Sequence, residues 1–276
     1  MPPVSTDDPT LIRLDRYLDA APRAGAASED IGPFTLFIST GMWPYYARPR
    51  SGLDRAVTAG DVQAVRERQR SLGVPEAFEW VVEVTPSLSA AARDTGLVVE
   101  ELPLLVLGTP VPPARRTEDV IRRVRADEFD LARILAVASV AFANGGTAVG
   151  TVGPRERDAK AAADPIVPPR MRERIREGLT VLYVAEDDEG PIALGAHQPV
   201  DGVTEIVGVA TLPSARRRGL GTAVTATLVE DARAAGMDTI FLSAASDDVA
   251  RVYERLGFVR VGHAGMASPP GASSHA

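Results

Sequence analysis

Cysteine is absent from the 276 residues, which excludes disulfides, thiolate metal sites and a cysteine nucleophile. Histidine is nearly as scarce, and three residues argue against a histidine-rich metal centre, so no metal is expected. No continuous apolar run approaches the roughly 18 residues of a membrane helix. The N-terminus, MPPVSTDDPT, has neither the basic nor the apolar region of a signal peptide. A soluble cytoplasmic protein without a membrane partner is therefore expected. Positive charge is in deficit: 30 Lys and Arg face 37 Asp and Glu, for a net charge of −7. That balance argues against a nucleic-acid partner, whose binding rests on neutralising phosphates. Any anion site must be local.

Hydrophobic residues make up 45% of the chain, which is ordinary for a packed core, and the length suits one large domain or two modest ones. A Pro/Arg-rich passage runs from Thr109 through Pro110, Pro112 and Pro113 to Arg116, after the apolar run Leu102 to Leu107. It predicts a linker over residues 111–117, between a domain at 1–110 and a second at 118–265, with 266–276 as a flexible tail. Residues 144–170 combine clustered glycines with Pro165, Pro168 and Pro169, and read as a long surface loop.

From Val120 the pattern predicts strands at 121–124, 181–186, 192–198, 205–212, 239–243 and 259–263. Helices are predicted at 129–142, 171–177, 219–235 and 247–256. Consecutive strands followed by strand-helix alternation give a mixed α/β fold, a sheet with helices packed on it. In the last helix Val249, Val252, Tyr253 and Leu256 share one face, Ser246 can cap the start and Gly257 can end it. In the preceding helix Leu220, Ala223, Val224, Leu228, Ala232 and Ala235 form a similar stripe.

The strand ending at Leu212 turns at Pro213 into Arg216-Arg217-Arg218-Gly219-Leu220-Gly221-Thr222, where a helix begins. Such a turn aims several backbone N–H groups and the positive end of the helix dipole at one place, and glycines let a phosphate approach closely. The expected ligand is a pyrophosphate, with the arginines adding charge. A bare helix start with solvated arginines would show the same residues. A P-loop reading fails because no Lys-Ser/Thr follows the glycine.

Arg216, Gly219 and Gly221 match the Q/R-x-x-G-x-G/A signature of the GNAT acetyltransferase family, and Tyr253 followed by Gly257-Phe258 resembles its second signature. The resemblance covers roughly residues 118 to 265. It implies a GNAT fold, a central twisted mixed β-sheet flanked by helices, preceded here by a second, smaller α/β domain. It further implies acetyl-CoA as cosubstrate and transfer of its acetyl group to an amine. Val209, Ala210 and Thr211 would hold the pantetheine arm and polarise the thioester carbonyl. Arg216 to Thr222 would hold the pyrophosphate, with Arg217, Arg218 and Leu220 inside that run, and Ser246 stands where the family often has Asn. The resemblance makes Tyr253 the proton donor to the departing thiolate, against the alternative of a core tyrosine. Glu205, eleven residues before Arg216, resembles the family's catalytic glutamate in spacing, while a solvated strand carboxylate remains the alternative; His197 is a weaker candidate base, expected at the surface. The acceptor could be a small amine, an aminoglycoside-like compound, or a protein N-terminus or lysine. A homodimer is one expected assembly. A catalytically silent acyl-CoA-binding module with the same fold is the competing function.

The N-terminal half shows strands at 34–39, 78–84 and 97–107 and helices at 61–72 and 88–95. That order repeats the second half of a GNAT domain. Nothing near Arg55 to Gly60 reproduces the phosphate turn, and Ala92 stands opposite Tyr253, so a degenerate GNAT-like half is expected. Trp43, Tyr45 and Tyr46 read as a packed loop anchor.

Overall fold

The computed structural model describes residues 8–39, 45–108 and 120–272; the linker at 111–117 and Trp43 lie outside the described residues. Contacts divide the chain into two compact units. The first comprises Met1–Leu105, Ser243–Asp247 and Arg260–Ala276, and the second Val106–Leu242 and Asp248–Val259.

The N-terminal segment supplies helix α1 (Pro9–Arg23), strands β1 (Ala26–Ile31), β2 (Phe34–Ser39) and β3 (Ala47–Pro49), helix α2 (Ala59–Leu72), strand β4 (Phe78–Val81), helix α3 (Ser87–Asp94) and strand β5 (Val98–Leu107). Next come strand β6 (Val120–Arg123), helices α4 (Leu131–Ala143), α5 (Pro154–Ala163) and α6 (Pro169–Arg176), and strands β7 (Val181–Asp187), β8 (Gly190–Val200) and β9 (Val203–Thr211). After a 3-10 turn at Pro213–Ala215 follow helix α7 (Leu220–Ala234), strand β10 (Thr239–Ser243), helix α8 (Asp247–Glu254) and strand β11 (Phe258–Ser268). Strand order in the first unit is β1-β2-β3-β4-β11-β5, and in the second β10-β9-β8-β7-β6.

Both units repeat one plan. An antiparallel trio, β1-β2-β3 or β7-β8-β9, leads into a crossover helix, α2 or α7, that returns to a parallel neighbour, β4 or β10. The mixed sheet expected from the element order is what the chain builds. Strand β11 runs on to Ser268 and pairs antiparallel with β4 from Ala264↔Val81 to Ala267↔Phe78.

Unit 2 is organised around β8, buried from Pro191 to His197 because α4 and α7 both pack on it. Gly195 permits the approach of α7: a Cβ there would lie 3.0 Å from both Leu228 and Val224. In unit 1, Phe34, Leu36, Phe78 and Trp80 of the sheet meet Val62 and Val65 of α2 and Leu88 and Ala92 of α3. Phe34 and Phe78 cross edge to face with centroids 5.5 Å apart.

Two expectations change. Residues 154–163 are helix α5 within the stretch read as a loop. Pro154 occupies the first helical position, where its missing N–H costs nothing, and Glu156 Oε2 accepts from the Gly153 N–H at 2.7 Å. Helix α1 and strands β1 and β3 were not anticipated, although Asp8 caps α1 by accepting from Thr10 N at 2.7 Å and Pro9 follows at the first helical position.

Gly265 of β11 lies against the fully buried Trp80, and a Cβ built there falls within the indole, 2.6 Å from Cζ2. Gly265→Ala should therefore destabilise the protein by about 1–3 kcal/mol through overpacking, which urea unfolding followed by tryptophan fluorescence measures. An unchanged midpoint would mean that Trp80 has room to shift.

Candidate functional site

The site is built where β9 leaves its parallel neighbour. Pairing between β9 and β10 runs from Thr239↔Val203 to Phe241↔Glu205, so residues 206–211 continue on β8 without a β10 partner in that register. On the other side the β8 register shifts between Leu194 and Ala196, opposite Gly208, which takes φ +64°. This is a bulge, and it re-aims the backbone of Val209, Ala210 and Thr211. An interior strand glycine is the usual sign of a bulge, and Gly208 is that sign in the sequence.

The strand end converges on the start of α7. A Cβ built on Gly221 would lie 3.7 Å from Thr211 Oγ1 and 3.9 Å from Val209 Cγ1. Between them the chain makes the 3-10 turn, then Arg217 at φ +67° and Gly219 at φ +85°. Two left-handed residues so close together wind the backbone tightly, and a non-glycine residue in that conformation marks stored strain. Gly219 is the N-cap of α7, offers no side chain, and has open space around it. The first intrahelical bond is donated by Ala223 to Gly219 O at 3.0 Å. The N–H groups of Leu220, Gly221 and Thr222 precede it and carry the positive end of the helix dipole.

The arginines divide their work. The Arg216 guanidinium donates to the carbonyls of Asn144 (2.6 Å), Ala141 and Ala148 (both 3.2 Å) and Thr211 (3.4 Å). Burial alone lowers its pKa. Arg217 donates to Thr147 O at 3.0 Å, and Arg218 pairs with Asp187 at 3.1 Å. Two of the three thus rest on neutral oxygens and keep their positive charge beside the turn. Thr147 and Ala148 belong to the glycine- and proline-rich stretch 144–170, whereas no pattern in the sequence marked Asp187.

Tyr253 lies on α8, partly buried, with its ring edge to face on Phe258 at 6.0 Å. Burial pushes its phenol up to about 12. Ser246 immediately precedes α8. Glu205 sits at the last residue of β9 that pairs with β10, facing Gln198 across on β8. It is half-buried, at the point from which the two strands diverge.

His197 is not the surface residue expected but is fully buried. Its Nδ1 lies 3.0 Å from Thr204 Oγ1 and its Nε2 3.0 Å from Asp231 Oδ2 on α7. The Tyr183 hydroxyl donates to Asp231 Oδ1 at 2.8 Å. Burial lowers the His197 pKa, with Asp231 opposing. Burial and Asp231 push Tyr183 up to about 12. Both ring nitrogens are engaged, so His197 ties α7 to the sheet and is not placed to serve as a base.

The counterpart of the turn in unit 1 is closed. Helix α2 begins with a capping box in which Asp61 N donates to Thr58 Oγ1 at 3.3 Å and Asp61 Oδ2 accepts from Thr58 N at 2.9 Å. Arg55 reaches the same carboxylate at 2.8 Å, and these contacts hold the Asp61 carboxyl well below the usual range. An internal anion already occupies that helix start. No group of residues that could hold a metal occurs among the described residues.

The Acetyltransferase (GNAT) family model matches residues 154–258. Over 209 residues the chain is 30% identical to the mycothiol acetyltransferase of Rhodococcus jostii (strain RHA1), covering 69% of this chain and 63% of that protein. The match thus spans less than two thirds of the relative's length. A GCN5-related N-acetyltransferase from Kribbella flavida superposes with TM-score 0.67 at 22% identity, over 95% of this chain and 96% of that one. A tandem GNAT protein from the clavulanic acid biosynthesis pathway superposes with TM-score 0.53 at 14% identity, over 99% of this chain and 98% of its own. At such identities the structural likeness speaks for the fold alone.

The two high tyrosines give a titration test. A phenol whose folded pKa of about 12 exceeds the ordinary 10 stabilises the fold fully below pH 10, and that contribution is lost as pH rises through 12. Ultraviolet titration at the tyrosinate band should show a late transition that Tyr253→Phe and Tyr183→Phe each reduce. A normal transition near pH 10 for either residue would place that hydroxyl in water.

Proposed function

We propose that the protein, whose residues 154–258 match the GNAT acetyltransferase family model, transfers through that domain the acetyl group of acetyl-CoA to a primary amine. The observation that carries the proposal is the helix start at Gly219, uncapped, glycine-lined and flanked by unneutralised arginines. The N–H groups of Leu220, Gly221 and Thr222 bind the pyrophosphate, and Arg217 adds charge, while Arg218 is held by Asp187. The bulged backbone of Val209 to Thr211 holds the pantetheine arm and donates to the thioester oxygen as negative charge develops there.

The amine nitrogen attacks the thioester carbon, the C–N bond forms and the C–S bond breaks, leaving the electron pair on sulfur. Tyr253 donates a hydrogen bond to that sulfur. Its phenol near 12 stays protonated at neutral pH, but complete transfer to a thiolate of ordinary pKa near 8.5 is uphill by about 3 to 4 units. The proton that ends on sulfur must therefore be replaced on the phenol by the one the attacking nitrogen loses. Glu205, at the divergence of the strands, accepts that proton directly or through water and passes it on through solvent to the phenol, so that one proton leaves nitrogen and one arrives on sulfur.

The acceptor class is tested by CoA release across an amine panel. The name of the R. jostii relative directs that panel first to mycothiol-type acceptors, then to aminoglycoside-like compounds and protein amines. Acetyl-CoA binding with no release on any amine would favour the silent acyl-CoA-binding module instead.

Three substitutions are informative. Gly219→Glu brings a side chain and a negative charge to a φ +85° position at the start of α7, while Gly236→Glu brings the same charge and strain at φ +79° beyond its other end. Calorimetry should show acetyl-CoA affinity weakened about tenfold or more by the first and little altered by the second, because the dipole effect is confined to the terminal turn. Equal affinities would misplace the pyrophosphate. Tyr253→Phe keeps the ring against Phe258 and should cost on the order of a hundredfold in single-turnover transfer with acetyl-CoA affinity unchanged. An unaltered rate with chemistry limiting would remove the hydroxyl from the reaction.

A further inference from the structure

The loop from Asn144 to Gly153 is fastened to the phosphate turn at several points, all within unit 2. Backbone bonds run from Gly150 N to Pro213 O and from Ser214 N to Val152 O, both 3.0 Å. Gly153 lies so close to Ser214 that a Cβ would collide with its hydroxyl, and Gly150 would place one 3.1 Å from Pro213. Arg216 then spans both sides. Its guanidinium holds Ala141, Asn144 and Ala148 on the loop side and Thr211 on the strand side.

We propose that Arg216 is a positioning residue for the cofactor turn: it binds loop carbonyls instead of phosphate, and thereby sets the left-handed path of Arg217 to Gly219. This inference rests on the pyrophosphate assignment made above. Four carbonyl acceptors around one planar guanidinium use its fork of donors and leave little capacity for an anion. The turn needs an external brace, because Arg217 at φ +67° is strained and relaxes unless its surroundings hold it. The brace is the loop, itself too rich in glycine to stay ordered alone: Gly145, Gly146, Gly150 and Gly153 leave it few side chains to pack. Turn and loop therefore order each other, and Arg216 is the shared member. In the signature R-x-x-G-x-G the arginine thus acts from behind the turn, and Leu220 to Thr222 act in front of it.

The test compares wild type, Arg216→Ala, Arg216→Lys and Arg217→Ala. Hydrogen exchange of the protein without cosubstrate should accelerate about tenfold or more in residues 144–153 and 211–219 of Arg216→Ala, with α4 and the central part of β8 unaffected. A lysine presents its three donors from one point and cannot bridge the two sides, so Arg216→Lys should recover less than half of the protection. With CoA as the calorimetric probe, affinity should fall about tenfold in Arg216→Ala, the cost of ordering the turn on binding. KM for acetyl-CoA should rise accordingly while kcat at saturation stays within about twofold. Arg217→Ala, which gives up one bond to the loop at Thr147 O against the three loop-side bonds of Arg216, should weaken CoA binding while loosening the loop less than Arg216→Ala does. Unchanged exchange in Arg216→Ala together with weakened CoA binding would overturn the inference and make the guanidinium a direct phosphate ligand. Acceleration throughout unit 2 would also overturn it, reducing Arg216 to a general stabiliser. If Arg216→Ala does not fold, Arg216→Lys decides by the same two readouts. A wild type that binds no CoA would sink the proposed function, while the exchange data would still judge the brace.

Discussion

The N-terminus of α7 is a helix start that its own sequence leaves unsatisfied. A helix exposes orphan N–H groups at its beginning, and most chains cap them with Ser, Thr, Asp or Asn. Here the cap position is Gly219 in the left-handed conformation, with no side chain to offer. Everything around it serves that exposed dipole. The β9 bulge at Gly208 brings the strand backbone alongside, Gly221 lets helix and strand approach, and arginines supply charge that the acidic chain as a whole lacks.

The first unit shows what the same architecture becomes when that constraint is relaxed. It has the antiparallel trio, the crossover helix and the parallel return, but Thr58, Asp61 and Arg55 close the helix start with an internal carboxylate. A carboxylate that accepts from a backbone N–H and a guanidinium at once is firmly ionised, so a pyrophosphate approaching α2 would meet a charge of its own sign. The capping box thus separates an α2 start that is already satisfied from an α7 start that is left open, on a common fold plan.

Legibility in the sequence followed how local the cause was. The α7 stripe from Leu220 to Ala232, the Gly257 stop at φ +90° and the glycine turn could be read directly, because each depends on residues within a turn or two of one another, whereas Ala235 is exposed past the helix end and the buried residue of α8 is Ala250, outside the expected stripe. Prolines crowding the flanks of helix α5 give its stretch the pattern of a loop, although Pro154 and Glu156 are themselves start signals. The placement of His197 was not legible: its burial depends on Asp231, 34 residues away, and on Thr204 across the β8-β9 hairpin. The work of Arg216 was equally hidden. Its acceptors lie 68 to 75 residues earlier, apart from Thr211, and they are carbonyl oxygens, which no residue type announces. Arg157 and Arg172 show the same habit, donating to the carbonyls of Pro191 and Glu189 and of Ala126 and Glu128. Irregular segments leave carbonyls unpaired, and arginine satisfies several at once.

The proposed cosubstrate site places the phosphates at the start of α7 and not at its counterpart, the start of α2. The most direct measurement is a titration of isotopically labelled protein with acetyl-CoA, following backbone amide resonances. Leu220, Gly221 and Thr222 should shift together and saturably, while the first-turn amides of α2 stay where they are. Shifts at Gly60 and Asp61, or a saturable response that leaves residues 220–222 unmoved, would contradict it.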